Sequence, residues 1–316
     1  MPTIQERLLL PEPSLIADEL CDFIQRIVRL EGKTGCVIGN SGGVDSALVA
    51  ALAVQALGVE RVHMFFLPEQ DTHKNSRRDA NLVAKNLGLT MREINIAPIL
   101  RKIGVYRLIP FSFLIPRRVK ERYARAQRKG ADSKNGGIYL KMLRNGDNND
   151  FQPVKAYCSI KNRVRMSVLY FHAELKNCLV LGTCNLSEKM TGLFAKHGDG
   201  ACDLAPLDGL YKTQVYELAR YMGVPRGIIE KPPSGDLLPA NDDEEVLMLE
   251  YARIDRILAG LELGLPDDII ARDGVSQSDI VYIRDVIAAS ESKRRNHYVP
   301  FENGYVRLTQ LGPDNS

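Results

Sequence analysis

Asp45 stands inside a glycine-rich stretch, Gly39-Asn40-Ser41-Gly42-Gly43-Val44-Asp45-Ser46, which separates the apolar run Thr34 to Ile38 from the helical pattern Ala47 to Leu57. The order reads as strand, glycine turn, helix N-terminus. Three glycines with Ser41 and Ser46 let the backbone turn sharply and aim several N–H groups at one point, where the start of a helix adds partial positive charge. Such a loop is a phosphate cradle. It lacks the Lys-Ser/Thr that closes a Walker A, and it lacks the G-x-G-x-x-G spacing of a dinucleotide fold. A carboxylate within an anion cradle makes sense with Mg²⁺ between it and the phosphates, which points to ATP held through its pyrophosphate. An ordinary βα turn with an acidic helix start is the plainer alternative.

A second acid falls in a matching place. Cys178 to Leu181 reads as a strand that opens into Gly182-Thr183-Cys184-Asn185-Leu186-Ser187-Glu188. Glu188 therefore lies just past a strand end, where it could share a metal with Asp45. Its plainer alternative is a first-turn acid that complements a helix dipole.

The elements that must position these residues alternate. Gly35 to Gly39, Arg61 to Leu67, Thr90 to Ile96 and Cys178 to Leu181 read as strands. Ser14 to Leu30, with Ser14 as cap, Asn75 to Leu87, Ile160 to Leu175, Tyr211 to Met222, Glu244 to Leu258 and Ser276 to Ser290 read as helices. Alternation of this kind predicts an α/β fold with a doubly wound parallel sheet, whose ligands bind at the carboxyl ends of the strands. We expect one domain over residues 1–316, with an insertion at about 101–150 and a helical C-terminal part from about 240.

Composition narrows the classes. Formal charge is +3 over 316 residues and the pI is about 8.4, so nothing global demands nucleic acid. The charge is uneven: Arg101 to Gly130 holds ten Lys/Arg against the single acid Glu121. That patch reads as a solvated face, an RNA contact, or a mobile basic lid over phosphates. The six cysteines form no C-x-x-C pair and no zinc spacing, which suits buried thiols in a reducing cytosol. No signal-peptide order and no apolar run of membrane-spanning length is present, so a cytoplasmic location is expected.

Ser41-Gly42-Gly43-Val44-Asp45-Ser46 resembles the SGGxDS loop of the ATP pyrophosphatases, which have the adenine nucleotide alpha hydrolase-like fold. Further stretches resemble the NAD synthetases within that superfamily: Gly182 to Glu188, then Thr191-Gly192-Leu193-Phe194-Ala195-Lys196-His197-Gly198-Asp199-Gly200, then Pro206-Leu207-Asp208-Gly209-Leu210-Tyr211-Lys212-Thr213-Gln214. Lys231 to Leu237 is similar to the family's K-x-P-T/S-A-D-L loop, and Lys293-Arg294 to its C-terminal K-R. The resemblance spans roughly residues 30 to 300 apart from the insertion.

The resemblance implies residue roles. Gly39, Ser41, Gly42, Gly43, Asp45, Ser46, Arg165, Thr183, Lys212 and Ser234 would bind ATP, and Asp45 and Glu188 would hold Mg²⁺. Arg163, Lys196, Asp203 and Lys293 would bind deamido-NAD. Asp199 and Lys212 would be catalytic, Asp199 toward magnesium or the incoming ammonia and Lys212 toward the ATP phosphates. Taken singly, Lys196 and Lys212 also read as solvated lysines and the arginines as a helix face. Asn40, Cys184, Ala195 and His197 depart from the family's usual residues.

The activity so implied is ATP-dependent amidation of deamido-NAD by ammonia through an acyl-adenylate, giving NAD, AMP and pyrophosphate. A homodimer is implied as well. A separate glutaminase as ammonia donor, an amide ligase acting on another carboxylate, and an RNA-modifying ATP pyrophosphatase stay as alternatives. The missing C-x-x-C weighs against thiolation of RNA, and a membrane partner is not expected.

Overall fold

The computed structural model describes residues 2–108, 137–144, 151–234 and 242–295. In chain order the elements are α1 (Ile4–Leu8), α2 (Pro13–Leu30), β1 (Gly35–Gly39), α3 (Val44–Leu57), β2 (Val62–Phe66), α4 (Lys74–Asn86), β3 (Met91–Glu93) and α5 (Ala97–Ile103). Then come α6 (Gly137–Arg144), α7 (Gln152–Lys176), β4 (Cys178–Leu181), α8 (Leu186–Thr191), α9 (Lys212–Tyr221) and α10 (Arg226–Ile229). The last are α11 (Asp243–Leu247), α12 (Tyr251–Glu262), α13 (Asp267–Arg272), α14 (Gln277–Ala289) and α15 (Glu291–Arg294). Most of the expected basic insertion, and with it the lid reading, lies outside the described residues.

The four strands form one parallel sheet in the order β3-β2-β1-β4. Alternate side chains decide what covers each face. Cys36, Ile38, Val62, Met64, Leu179 and Leu181 join a core built with α2, α3 and α9. Val37, Phe65, Cys178 and Val180 face the other way, onto Leu100 of α5 and Tyr157, Val164 and Leu169 of α7. Helix α3 is buried nearly all round, which its Ala/Val/Leu run permits because it lies between sheet and neighbouring helices. A third core joins α1 to α12, α13 and α14.

Several boundaries differ from the sequence reading. Helix α2 starts at Pro13 and not at a Ser14 cap, since proline's fixed φ suits the first helical position. Helix α7 starts at Gln152, eight residues ahead of the expected Ile160. The helix expected over 244–258 is two helices: Met248 adopts a left-handed φ of 58°, and the Glu244 side chain accepts from the Tyr251 N–H at 2.9 Å to open α12. Strand β3 is only Met91–Glu93.

Candidate functional site

The glycine loop leaves the carboxyl end of β1, the centre of the sheet's ligand edge. Gly42 holds φ +74° and packs so closely that a Cβ there would meet the Ser76 carbonyl oxygen at 2.8 Å, so only glycine fits. Asn40 is 2 % exposed and organises the turn. Its Oδ1 accepts from the Gly42 N–H at 2.9 Å and its Nδ2 donates to the Ala80 carbonyl of α4 at 3.0 Å. The Ser41 N–H donates to Ser46 Oγ and the Gly43 N–H to Ser41 Oγ, each over 3.2 Å. Gly43, at the start of α3, offers no capping side chain, so the first-turn amides of that helix remain to face an anion.

Asp45, in the first turn of α3, meets two partners from distant elements. Lys212 Nζ, on the first residue of α9, lies 2.6 Å from Asp45 Oδ2 and 3.2 Å from Glu188 Oε1. Asn185 Nδ2 donates to Asp45 Oδ1 at 2.9 Å. Glu188 is the third residue of α8, and its other oxygen accepts from the Asn185 N–H while Asn185 caps the Glu188 N–H. The helix-start reading of Glu188 is seen directly as a capping box with Asn185, and the same side chain faces Asp45 across Lys212.

Charge explains how tightly this group is bound together. Burial pushes Glu188 up, and Asp45 adds to that while Lys212 pulls back. Burial alone would lower Lys212, but Asp45 and Glu188 outweigh it and hold the ammonium well above its ordinary range. One ammonium thus stands against two acids, of which burial has raised Glu188 to about 8. This donor set fits a hard divalent cation such as Mg²⁺, which takes one or two carboxylates and completes its shell with water and phosphate. Among the described residues no group of three or more His, Cys, Asp or Glu could hold a metal by itself.

A second cluster lies where the 192–199 loop meets α15 and α7. Arg163 Nε donates to the Lys196 carbonyl at 3.1 Å, and Lys196 Nζ to the Ser292 carbonyl at 3.1 Å. Lys293 donates to the Gly192 carbonyl and stands 5.0 Å from the Phe194 ring centre. Burial lowers Lys293 to about 8, against the pull of nearby Asp199. Asp199 accepts from the Ala195 N–H at 2.7 Å, and burial raises its carboxyl while that bond and Asn162 pull it back. Cys184 donates to the Asp199 carbonyl at 3.3 Å.

Other expected site residues have separate neighbours. Arg165 is bound to the Leu67 carbonyl at 3.2 Å and to Asn162 Oδ1 at 3.0 Å, which fixes it beside the end of β2. Thr183 follows β4 and is half-buried, and Ser234 is exposed beyond α10. Lys231, in the same loop as Ser234, pairs with Asp79 at 3.1 Å. Asp203 accepts from the Val180 N–H at 2.8 Å and from Tyr170 Oη at 3.2 Å, so its carboxylate braces β4.

Sequence reasoning missed Asn185 and Lys161. Asn185 carried a signal, since N-x-x-E after a strand is a capping box. Lys161, which the sequence reading gave no role, is fully buried, 2.7 Å from Asp71 and 3.2 Å from Glu69. Tyr157 Oη donates to Asp71 at 2.5 Å and Tyr106 Oη to Glu69 at 3.0 Å. This network ties the loop after β2 to α7, two residues from Arg163 and four from Arg165.

A parallel α/β sheet with a glycine loop and acid-lysine centre at its carboxyl edge defines a protein built to hold nucleotide phosphates. Comparison with known proteins makes this specific. The family described as NAD synthase matches residues 16–107 and 138–297. The NH(3)-dependent NAD(+) synthetase of Thermotoga neapolitana is 42% identical over 285 residues, which is 90% of this chain and 96% of that protein. Among solved structures, NMN synthetase from Francisella tularensis matches with TM-score 0.68 at 26% identity, over 92% of this chain and 98% of that one. NH3-dependent NAD synthetase from Campylobacter jejuni matches with TM-score 0.64 at 27% identity, over 91% and 98%. The chain belongs to the NAD synthase family.

Proposed function

We propose that this chain amidates the nicotinate carboxylate of deamido-NAD with free ammonia, converting ATP to AMP and pyrophosphate. The observation that carries the reading is Lys212 seated between Asp45 and Glu188 beside the glycine loop. A carboxylate is a poor acceptor for ammonia and must first be activated. Attack of the carboxylate oxygen on the α-phosphorus forms an acyl-adenylate as the bond to pyrophosphate breaks. Ammonia then attacks the acyl carbon, and AMP leaves with the carbon–oxygen electron pair.

Each group of residues has a task in that sequence. Lys212 and the first-turn amides of α3 offset the charge that grows on pyrophosphate. Asp45 and Glu188 would hold Mg²⁺, which when bound supplies Lewis-acid neutralisation of the phosphate oxygens. Asp199, raised by burial, takes the proton that ammonium must lose before it attacks. Arg163, Lys196 and Lys293 offer positive charge to the dinucleotide, and Arg165, Thr183 and Ser234 contact ATP.

A second reading, amidation of the corresponding mononucleotide, is favoured by the match to the Francisella NMN synthetase. One experiment addresses both. The purified chain is offered ATP, Mg²⁺ and ammonium with deamido-NAD or with nicotinate mononucleotide, and products are separated. NAD with equimolar AMP and pyrophosphate is expected; ADP as product, or amidation of the mononucleotide alone, overturns the first reading.

The working unit we propose is a homodimer, supported by Phe171 and Leu175, which expose 60% and 67% of their surface one turn apart on α7. Light scattering at micromolar concentration tests it. A cytoplasmic setting is supported by six free cysteines. Among the described residues no helix is long and apolar enough to cross a membrane.

A further inference from the structure

Helix α12 contributes to none of the motifs above, yet it carries the completely buried acid Asp255. Oδ1 of Asp255 accepts from Ser187 Oγ at 2.5 Å, and Oδ2 accepts from the Thr213 N–H at 2.8 Å. Ser187 Oγ in turn accepts from the Lys212 N–H at 2.9 Å. Ser187 precedes Glu188 in α8, and Lys212 and Thr213 open α9.

Local sequence caps α9 only in part: Gln214 Oε1 accepts from the Tyr211 N–H at 3.0 Å. Tyr211, the residue flanking its first turn, makes no side-chain cap hydrogen bond. The first two N–H groups are instead satisfied by a hydroxyl 25 residues earlier and a carboxylate 42 residues later. Burial pushes Asp255 up to about 6, with Ser187 and Thr213 pulling it back. At neutral pH it is therefore an acceptor-only anion, matched to the two donors it faces. One turn before it on α12, the ring of Tyr251 stands 5.3 Å from Lys212 Nζ.

We propose that Asp255 is a positioning residue for Lys212: from α12 it locks the start of α9 to α8, fixing the Lys212 ammonium between Asp45 and Glu188. Misplacing a catalytic charge by about an ångström costs on the order of a hundredfold in rate, so a rigid anchor for that backbone is worth a buried carboxylate. The proposal rests on the amidation reading.

The test is a double-mutant cycle on AMP formation. Wild-type turnover first establishes the reaction, so its failure is separate from failure of the anchor. Asp255→Asn keeps shape and size but replaces one acceptor with a donor. It is expected to fold, to lower kcat at least tenfold, and to leave the KM for deamido-NAD within twofold. In a Lys212→Ala background, where the ammonium is gone, the same substitution is expected to change the residual rate less than twofold. Wild-type kcat in Asp255→Asn, or a full tenfold loss repeated in the Lys212→Ala background, overturns the proposal. If Asp255→Asn does not fold, Ser187→Ala, which removes the relay hydroxyl alone, is judged by the same criteria.

Discussion

Lys212 Nζ lies 2.6 Å from Asp45 Oδ2, an ion pair between residues 167 positions apart whose lysine is 1% exposed. The pair joins the start of α3 to the start of α9, so two helix N-termini meet at one charge. Removing the ammonium takes away the charge that pulls Glu188 back down in a poorly solvated place. Lys212→Met is expected to lower kcat by about a hundred- to a thousandfold, the usual cost of losing one donor to a developing anion. Lys212→Arg is expected to restore little, because a planar guanidinium does not fit a point-charge site. Steady-state AMP release measures both.

Asp45→Asn and Glu188→Gln each remove one carboxylate charge without changing packing volume. Turnover is expected to fall at least tenfold in each, and the Mg²⁺ concentration for half-maximal rate to rise. Titration of Mg²⁺ at fixed ATP checks this. An unchanged Mg²⁺ dependence in either variant would contradict a shared metal.

Asn40→Leu keeps a buried side chain of similar size but strips the acceptor from the Gly42 N–H and the tie to Ala80. Orphaning that buried amide costs about 1–3 kcal/mol. Thermal unfolding should move down accordingly, and the KM for ATP should rise several-fold while that for deamido-NAD holds.

The pH profile should have two opposing limbs. More ammonia is unprotonated as pH rises, which raises the rate at fixed total ammonium. Lys293, lowered to about 8 by burial, is charged below that pH and neutral above it. The groups around it are Asp199 and Cys184, which raise it, and Lys155 and Arg163, which lower it. If its charge binds the dinucleotide, kcat/KM for deamido-NAD falls as pH climbs through about 8, and Lys293→Met flattens that limb. Stability moves in the other direction: above pH 8 the unfolded chain binds more protons at this lysine than the folded one, so its contribution to stability rises up to the unfolded value of 10.5.

What the sequence determined was local or sequential. Glycines and serines at 39–46 dictate a turn because backbone freedom and small side chains act over a few residues. Apolar runs bounded by turn residues gave β1 and β4 and the parallel sheet, since a strand buried on both faces must be apolar throughout. The family resemblance then ordered Glu188, Asp199 and Lys212 along the chain, without saying which of them touch.

Tertiary structure decided the rest. A hydrogen bond from Asn185 to Asp45, a lysine between two acids, and Lys161 buried against Glu69 and Asp71 all join residues at least 24 positions apart. Periodicity reads which face of an element is apolar, and it does not read which polar residue on that face will find a partner. Asp255 shows the limit most plainly. On an amphipathic helix it looks like any solvated acid, and only the packing of α12 against α8 and α9 turns it into the acceptor for the Thr213 N–H and the Ser187 hydroxyl.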